Sequence, residues 1–225
     1  MFFSFGRPVP LSSLDQRDIN NSEAKSRAKI AVLDDNSFAP KEALAIHQFK
    51  IDELGPDIRS LDQISSYPII VCDVAGVGRA FGSDQEGAYI VSEIRKEYPD
   101  KFLIGYTGET HSIQKTNALS KADIRMEKDA PVEAWVKNLE IGVREVMHPV
   151  NRWKRMRRAL LERGVEIFDV LRLEQSFIKS VKNNNPDYFK RNVELIGLEG
   201  EAKDVVVKFA SNKTKFPVLR VLMLD

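Results

Sequence analysis

The sequence predicts a doubly wound α/β domain on a five-stranded parallel sheet, followed by a smaller helical segment that ends in a β hairpin. Three observations point there. Short apolar runs without polar alternation recur between residues 29 and 128, as expected of strands buried on both faces. Amphipathic stretches of helical period separate them. After His148-Pro149 the short runs stop and longer amphipathic segments take over.

Residues 1–27 mix Pro, Ser, Asn and alternating charges with little periodicity. They are expected to form an irregular, mobile arm, with docking of Phe2, Phe3 and Phe5 as the alternative. "KIAVLDD" is the first strand and ends at Asp34 and Asp35. "PKEALAIH" opens a helix with Pro at its first position, and "HQFKIDEL" holds a weak additional strand. "YPIIVCD" ends at Asp73. "SDQEGAYIVSEIRKEY" sets Ala88, Ile90, Val91, Ile94 and Tyr98 largely on one helical face, and Ser83 with Glu86 has the spacing of a capping box. "KFLIGYTGE" ends at Thr107, with Glu109 and Thr110 expected to cap the next helix. "ADIRMEK" is a weaker strand ending at Lys128. "PVEAWVKNLEIGVREVM" aligns Val132, Trp135, Val136, Leu139 and Val143. Strand–helix alternation with short connections implies a doubly wound sheet.

Beyond the boundary, "VNRWKRMRRALLERG" and "VEIFDVLRLEQSFIKSVKNNN" read as two helices broken near Gly164. The second carries Ile167, Val170, Leu171, Glu174, Phe177, Ile178 and Val181 along one side. "PDYFKRNVELIG" is a third. "DVVVKFASN" and "FPVLRVLML" are strand candidates for the terminal hairpin. The expected division is an arm over 1–27, an α/β domain over 28–147, and a helical plus β effector or dimerisation domain over 148–225.

At 225 residues, 43% hydrophobic and 30% charged, the composition is that of a folded protein, not a disordered one. Thirty-four Lys plus Arg against 33 Asp plus Glu recommend neither nucleic acid nor an acidic surface. The one cysteine, Cys72, cannot close an internal disulfide and reads as a small buried hydrophobe, which fits a reducing cytoplasm. Arg7 and two prolines interrupt the apolar start "MFFSFGRPVP", so no signal peptide is expected. No apolar stretch reaches the ~20 residues of a membrane span.

In a doubly wound sheet, functional groups gather at the carboxyl ends of the strands. Here those ends carry Asp34, Asp35, Asp73, Thr107 and Lys128. The steps are 38 residues from Asp35 to Asp73, 34 to Thr107 and 21 to Lys128, each about one strand–helix unit. All five side chains should therefore meet at one edge. Carboxylates ~4 Å apart repel by roughly 4 kcal/mol per pair at an effective dielectric near 20, so the cluster must protonate, open or hold a cation. Oxygen-rich, partly hydrated coordination suits Mg²⁺. With charge neutralised by a metal and an ammonium, one carboxylate can attack phosphorus.

The segments "VLDDN", "IIVCDV", "IGYTGE" and "RMEKDAP" resemble, in order and placement, the signature segments of bacterial response-regulator receiver domains, over about 115 of the 225 residues. The resemblance implies a receiver (flavodoxin-like) fold with Asp73 as phospho-acceptor. It implies Mg²⁺ held by Asp34, Asp35, Asp73 and the Ala75 backbone carbonyl, with Thr107 and Lys128 on the phosphoryl group. A histidine kinase or phosphotransfer protein would be the donor, and the chemistry would be at most self-phosphorylation and autodephosphorylation. The sequence departs from the family at Arg125, where an aromatic switch residue is usual, at Asp129 in place of Pro, and in the long Gly-rich loop "VAGVGRAFGSDQ".

Other signals weigh less. The basic run Arg152, Lys154, Arg155, Arg157, Arg158 could bind phosphates, making a DNA-binding regulator through helix 152–163 one alternative. Its apolar stripe through Trp153, Met156, Leu160 and Leu161 reads instead as a dimerisation helix with a solvated basic face, and so as a homodimer through the C-terminal helices. A receiver-shaped scaffold without phosphorylation is a further alternative. His148, followed directly by Pro149, reads as a helix boundary before a relay histidine. His47 and His111 carry no partner signal. Gly76-Val77-Gly78 is not a nucleotide loop. A haloacid-dehalogenase hydrolase would need Asp-x-Asp, which "LDDNS" lacks.

Overall fold

The computed structural model describes residues 7–15, 21–108, 117 and 119–211. Five strands, β1 (Ile30–Leu33), β2 (Ile51–Glu53), β3 (Ile69–Asp73), β4 (Phe102–Thr107) and β5 (Ile124–Glu127), form one sheet. Their order is β2-β1-β3-β4-β5, and every pairing is parallel. This is the flavodoxin-like order, whose switch point lies between β1 and β3.

The apolar runs are strands because both of their faces are covered. Every residue of β1, β3 and β4 is buried. Ile30, Val32, Ile69, Val71 and Ile104 pack with Ala24, Leu44, Trp135, Leu139 and Val143. The alternate residues Ala31, Leu33, Ile70, Cys72 and Leu103 pack with Ala88, Ile90, Val91 and Ile94. That period of two divides one sheet between two cores. Helices α1 (Asn21–Arg27), α2 (Lys41–Ile46) and α4 (Val132–Met147) cover the first face, and α3 (Gly87–Glu97) covers the second. Gly142 lets α4 lie close to the sheet, since a Cβ there would sit 2.8 Å from Phe102 Cδ1.

Helices α5 (Pro149–Glu162), α6 (Ile167–Lys182), α7 (Pro186–Ile196) and α8 (Gly200–Ser211) enclose a third core. At its centre Trp153 stacks on Phe177 with centroids 5.0 Å apart, and Phe189 and Phe209 pack edge-on or tilted around them. Each such ring pair adds about 0.5–1.5 kcal/mol beyond burial. Trp153 Nε1 donates to buried Glu174 (2.7 Å), which explains a carboxylate within the apolar stripe.

Several expectations change. The arm is not irregular throughout: Leu11–Leu14 forms a 3₁₀ turn and α1 is helical. Leu14 is buried in the third core, and Ala24 and Ala28 fill the sheet face beside the short α2. Phe2, Phe3 and Phe5, like Glu109, Thr110 and His111, lie outside the described residues. The capping box is absent, because Glu86 turns its carboxylate to the Gly76 N–H (3.0 Å) while the Ser83 hydroxyl accepts from the Gln85 N–H (3.2 Å). Ile167 and Leu171 are exposed, so the buried side of α6 is narrower than its sequence stripe. "DVVVKFAS" is helical within α8, which removes the first strand of the expected hairpin. Val205, Val206 and Phe209 face the aromatic core at helical spacing, and that packing overrides the β-branched preference for strand. "FPVLRVLML" lies outside the described residues.

The basic face of α5 is not solvated throughout. Arg152 is buried in an ion pair with Asp100, to which its Nε donates at 3.2 Å. Arg155 pairs with Asp123 (2.7 Å) and Arg157 with Glu174 (3.2 Å). Trp153, Met156 and Leu160 are spent inside the chain and unavailable as a dimer stripe, whereas Leu161 is exposed. No helix among the described residues is long and apolar enough to cross a membrane.

Candidate functional site

The strand register sets the site. Leu33 pairs with Cys72 and Asp73 with Tyr106, so Asp34, immediately after β1, sits level with Asp73 at the end of β3. Thr107 and Glu127 pair at the ends of β4 and β5, and Lys128 follows directly. Oxygens of Asp34, Asp35 and Asp73 lie within 4.8 Å of one another.

Asp73 is 1% exposed, and burial raises its carboxyl pKa against the opposing pull of the Lys128 ammonium and the Ala75 N–H. Its Oδ1 accepts from the Ala75 N–H at 3.0 Å. Its Oδ2 lies 2.6 Å from Lys128 Nζ, though no donor meets that oxygen in good hydrogen-bonding alignment. Lys128 Nζ is also 3.4 Å from Asp34 Oδ1. Burial works to lower the Lys128 pKa, but Asp73 and Asp34 outweigh it and the net shift is upward. The Asn36 N–H donates to Asp34 Oδ1 (2.9 Å) and Asn36 Nδ2 to Asp35 Oδ1 (2.6 Å). Asp35 is exposed and forms the open side of the cluster.

Of the five strand-end side chains expected to converge, Asp34, Asp35, Asp73 and Lys128 lie within a few ångströms of one another. Thr107 is buried at the end of β4, one residue past the partner of Asp73. Ala75 lies against the cluster through its amide. Arg125 is exposed on β5.

One functional residue was not anticipated. The Tyr106 hydroxyl donates a short hydrogen bond to Asp34 Oδ2, and burial followed by the two aspartates pushes its phenol pKa far up, so it stays a donor. Its ring packs edge-on against Trp135, with centroids 5.6 Å apart, and against Phe38 at 6.1 Å. The available signal was the aromatic directly before Thr107 in "IGYTGE", one residue short of the strand end to which chemistry is assigned.

The donor set suits a hard divalent cation. It offers only oxygens, one carboxylate is open to water, and a buried Asp73 oxygen lacks an aligned donor. One ammonium faces three acids, so a bound cation would relieve the remaining repulsion.

No protein-family model matches the chain, and no curated protein does. Solved structures are similar over part of it. A CheY-like response-regulator receiver domain from Methanospirillum hungatei is 16% identical, aligned over 52% of this chain and 94% of its own, at TM-score 0.42. A Burkholderia pseudomallei response regulator, solved with a phosphorylated aspartic acid, calcium and citrate, is 18% identical over 64% and 90%, at TM-score 0.41. The beryllofluoride-activated NtrC4 receiver domain dimer is 22% identical over 53% and 98%, at TM-score 0.41. The fold itself follows from strand order and register. The described residues between 30 and 147 form a flavodoxin-like fold of the receiver type. In this receiver fold the acidic cluster occupies the carboxyl edge at the switch point, where ligands of doubly wound sheets bind.

Proposed function

We propose that the chain is a response regulator in phosphorelay signalling whose receiver domain takes a phosphoryl group on Asp73 with Mg²⁺ bound. The observation that carries this reading is the convergence of Asp34, Asp35 and Asp73 around the Lys128 ammonium, with Lys128 Nζ 2.6 Å from Asp73 Oδ2. Asp34, Asp35, Asp73 and the Ala75 carbonyl would hold the metal, which supplies charge neutralisation on the transferring oxygens.

Asp73 is the nucleophile: a carboxylate oxygen bonds to phosphorus as the bond from phosphorus to the donor breaks, and the leaving group departs with that electron pair. Lys128 leaves Oδ2 and follows the phosphoryl oxygens, while the Thr107 hydroxyl donates to one of them. A histidine kinase or phosphotransfer protein is the donor class. Residues 28–147 act as the receiver and 148–225 as the output segment. With Trp153, Met156 and Leu160 of the α5 stripe buried, the exposed Ile167, Phe168 and Leu171 on α6 offer a surface for homodimer contact.

The test is exposure of the full chain to acetyl phosphate or beryllofluoride with Mg²⁺, read by intact mass and by intrinsic tryptophan fluorescence, since Trp135 packs on Tyr106. A phosphoryl adduct and a fluorescence change, both abolished by Asp73→Asn, are expected. Neither signal in the wild type would leave a phosphorylation-independent scaffold.

A further inference from the structure

A cleft of about 500 Å³ lies between α3, the segment leading into β5, and α5 with the turn after it. It is far richer in cations than the chain as a whole. Arg95, Lys96, Lys121, Arg155, Arg158 and Arg163 line it, against the acids Asp123 and Glu162.

Asp123 is already shared. Arg95 Nη2 and Arg155 Nη1 each approach it at 2.7 Å, and its Oδ2 also accepts from the Leu103 N–H at 2.8 Å. Lys96 pairs with Glu201 at 2.9 Å. Lys121, Arg158 and Arg163 form no ion pair with any described residue. Among the described residues Lys121 Nζ donates to the neutral Ser92 hydroxyl (3.1 Å). Arg163 donates to the carbonyls of Ala159 (2.8 Å) and Lys96 (2.6 Å), and its buried Nε has no partner. Glu162 likewise forms no ion pair with a described residue, so among the described residues three cations without a counter-charge face one such acid.

Guanidinium and ammonium groups without a counter-charge gathered around one cleft favour a ligand with several anionic oxygens. The volume falls in the usual range for a small-molecule site, about 300–1,000 Å³. We propose that this cleft binds a small polyphosphate-bearing anion of the size of a nucleoside triphosphate. Lys121 and Arg158 supply the principal charge and Arg163 a further donor. The site is separate from the acidic cluster and would bridge the receiver and helical segments.

The full chain is titrated calorimetrically with ATP and, separately, with inorganic tripolyphosphate, both in EDTA so that the acidic cluster plays no part. Saturable binding that weakens as salt rises is expected. The Lys121→Ala/Arg158→Ala double variant should bind about 10-fold or more weakly with an unchanged melting temperature, because neither side chain holds the fold together through an ion pair. Asp73→Asn should bind as the wild type does. Tripolyphosphate binding as tightly as ATP assigns recognition to the phosphates, and tighter ATP binding adds a nucleoside contact. No saturable binding of either anion at ~1 mM and low salt overturns the proposal. So does equal binding by the double variant, or tighter binding of an oligonucleotide than of both anions.

Discussion

The Tyr106 hydroxyl reaches from β4 past β3 to donate to the Asp34 carboxylate at the end of β1. A buried phenol thereby ties the acidic edge to Trp135 on α4 through an edge-on ring contact. Arg125 occupies the position where the receiver resemblance leads one to expect an aromatic and is exposed, whereas Tyr106 is an aromatic in direct contact with the site.

Tyr106→Phe keeps the ring packing but leaves one oxygen of a buried carboxylate without its donor. The expected cost is about 1–3 kcal/mol in the absence of divalent ions. A cation on Asp34 would replace the lost donor, so millimolar Mg²⁺ should narrow the gap between variant and wild type. Urea denaturation with EDTA or Mg²⁺ measures both. An equal deficit in the two conditions would separate Tyr106 from the metal site.

Gly76 is bound to the same site by space. It adopts φ +73°, and a Cβ there would lie 2.3 Å from Asp35 Oδ2. Gly76→Ala should push Asp35 out of the cluster and weaken Mg²⁺ affinity by about 10-fold. Gly55 has the same φ with nothing within 4 Å of the added atom, so Gly55→Ala reports backbone strain alone. Metal titration of both variants separates the two effects. Equal affinities would remove Asp35 from the ligand set.

The strand ends Asp34, Asp35, Asp73 and Lys128 were legible in the sequence because a parallel sheet places every strand's carboxyl end on one edge, whatever lies between. The apolar runs themselves reveal strands buried on both faces. Tyr106 was not legible, because its role depends on which side of β4 it faces and on a partner two strands away. Glu86 was misread because local spacing suggests a cap, whereas the loop after Asp73 folds back to offer the Gly76 N–H instead. The valines of α8 were misread for a tertiary reason: only the Trp153–Phe177 cluster decides that Val205, Val206 and Phe209 are a helical face.

Lys101 predicts a pH dependence away from the acidic site. Its ammonium donates to the carbonyls of Ser65 (2.8 Å) and Tyr67 (2.7 Å), and burial, with Asp100 opposing and Arg152 assisting, lowers its pKa to about 7. The unfolded chain binds that proton up to about 10.4, so between these values the unfolded state holds more protons and stability rises with pH. Below about 7 both states are protonated, and the cost of burying the charge is fully felt. The wild type should therefore gain up to about 1.4 kcal/mol per pH unit from 7 to 9 relative to Lys101→Met. Parallel stability profiles for the two proteins would show that Lys101 keeps its proton in the fold.

Arg152 and Asp100 extend that reasoning to the join between the receiver and the helical segment. Both side chains are almost fully buried, at 2% and 3% exposure, and they are each other's charge partner across the boundary. Arg152→Met leaves Asp100 buried without its counter-charge, and the expected loss is about 3–5 kcal/mol. Adding Asp100→Leu removes the orphaned charge, so the double variant should be more stable than Arg152→Met alone, with a coupling of about 1–3 kcal/mol in the double-mutant cycle. Arg152 also lowers the Lys101 pKa, so its removal should move the rise of stability with pH to higher pH. Denaturation of the four proteins at pH 7 and pH 9 tests both consequences together. Additive costs would mean that the pair contributes no net coupling across the boundary. An unmoved pH profile would mean that Arg152 does not act on Lys101.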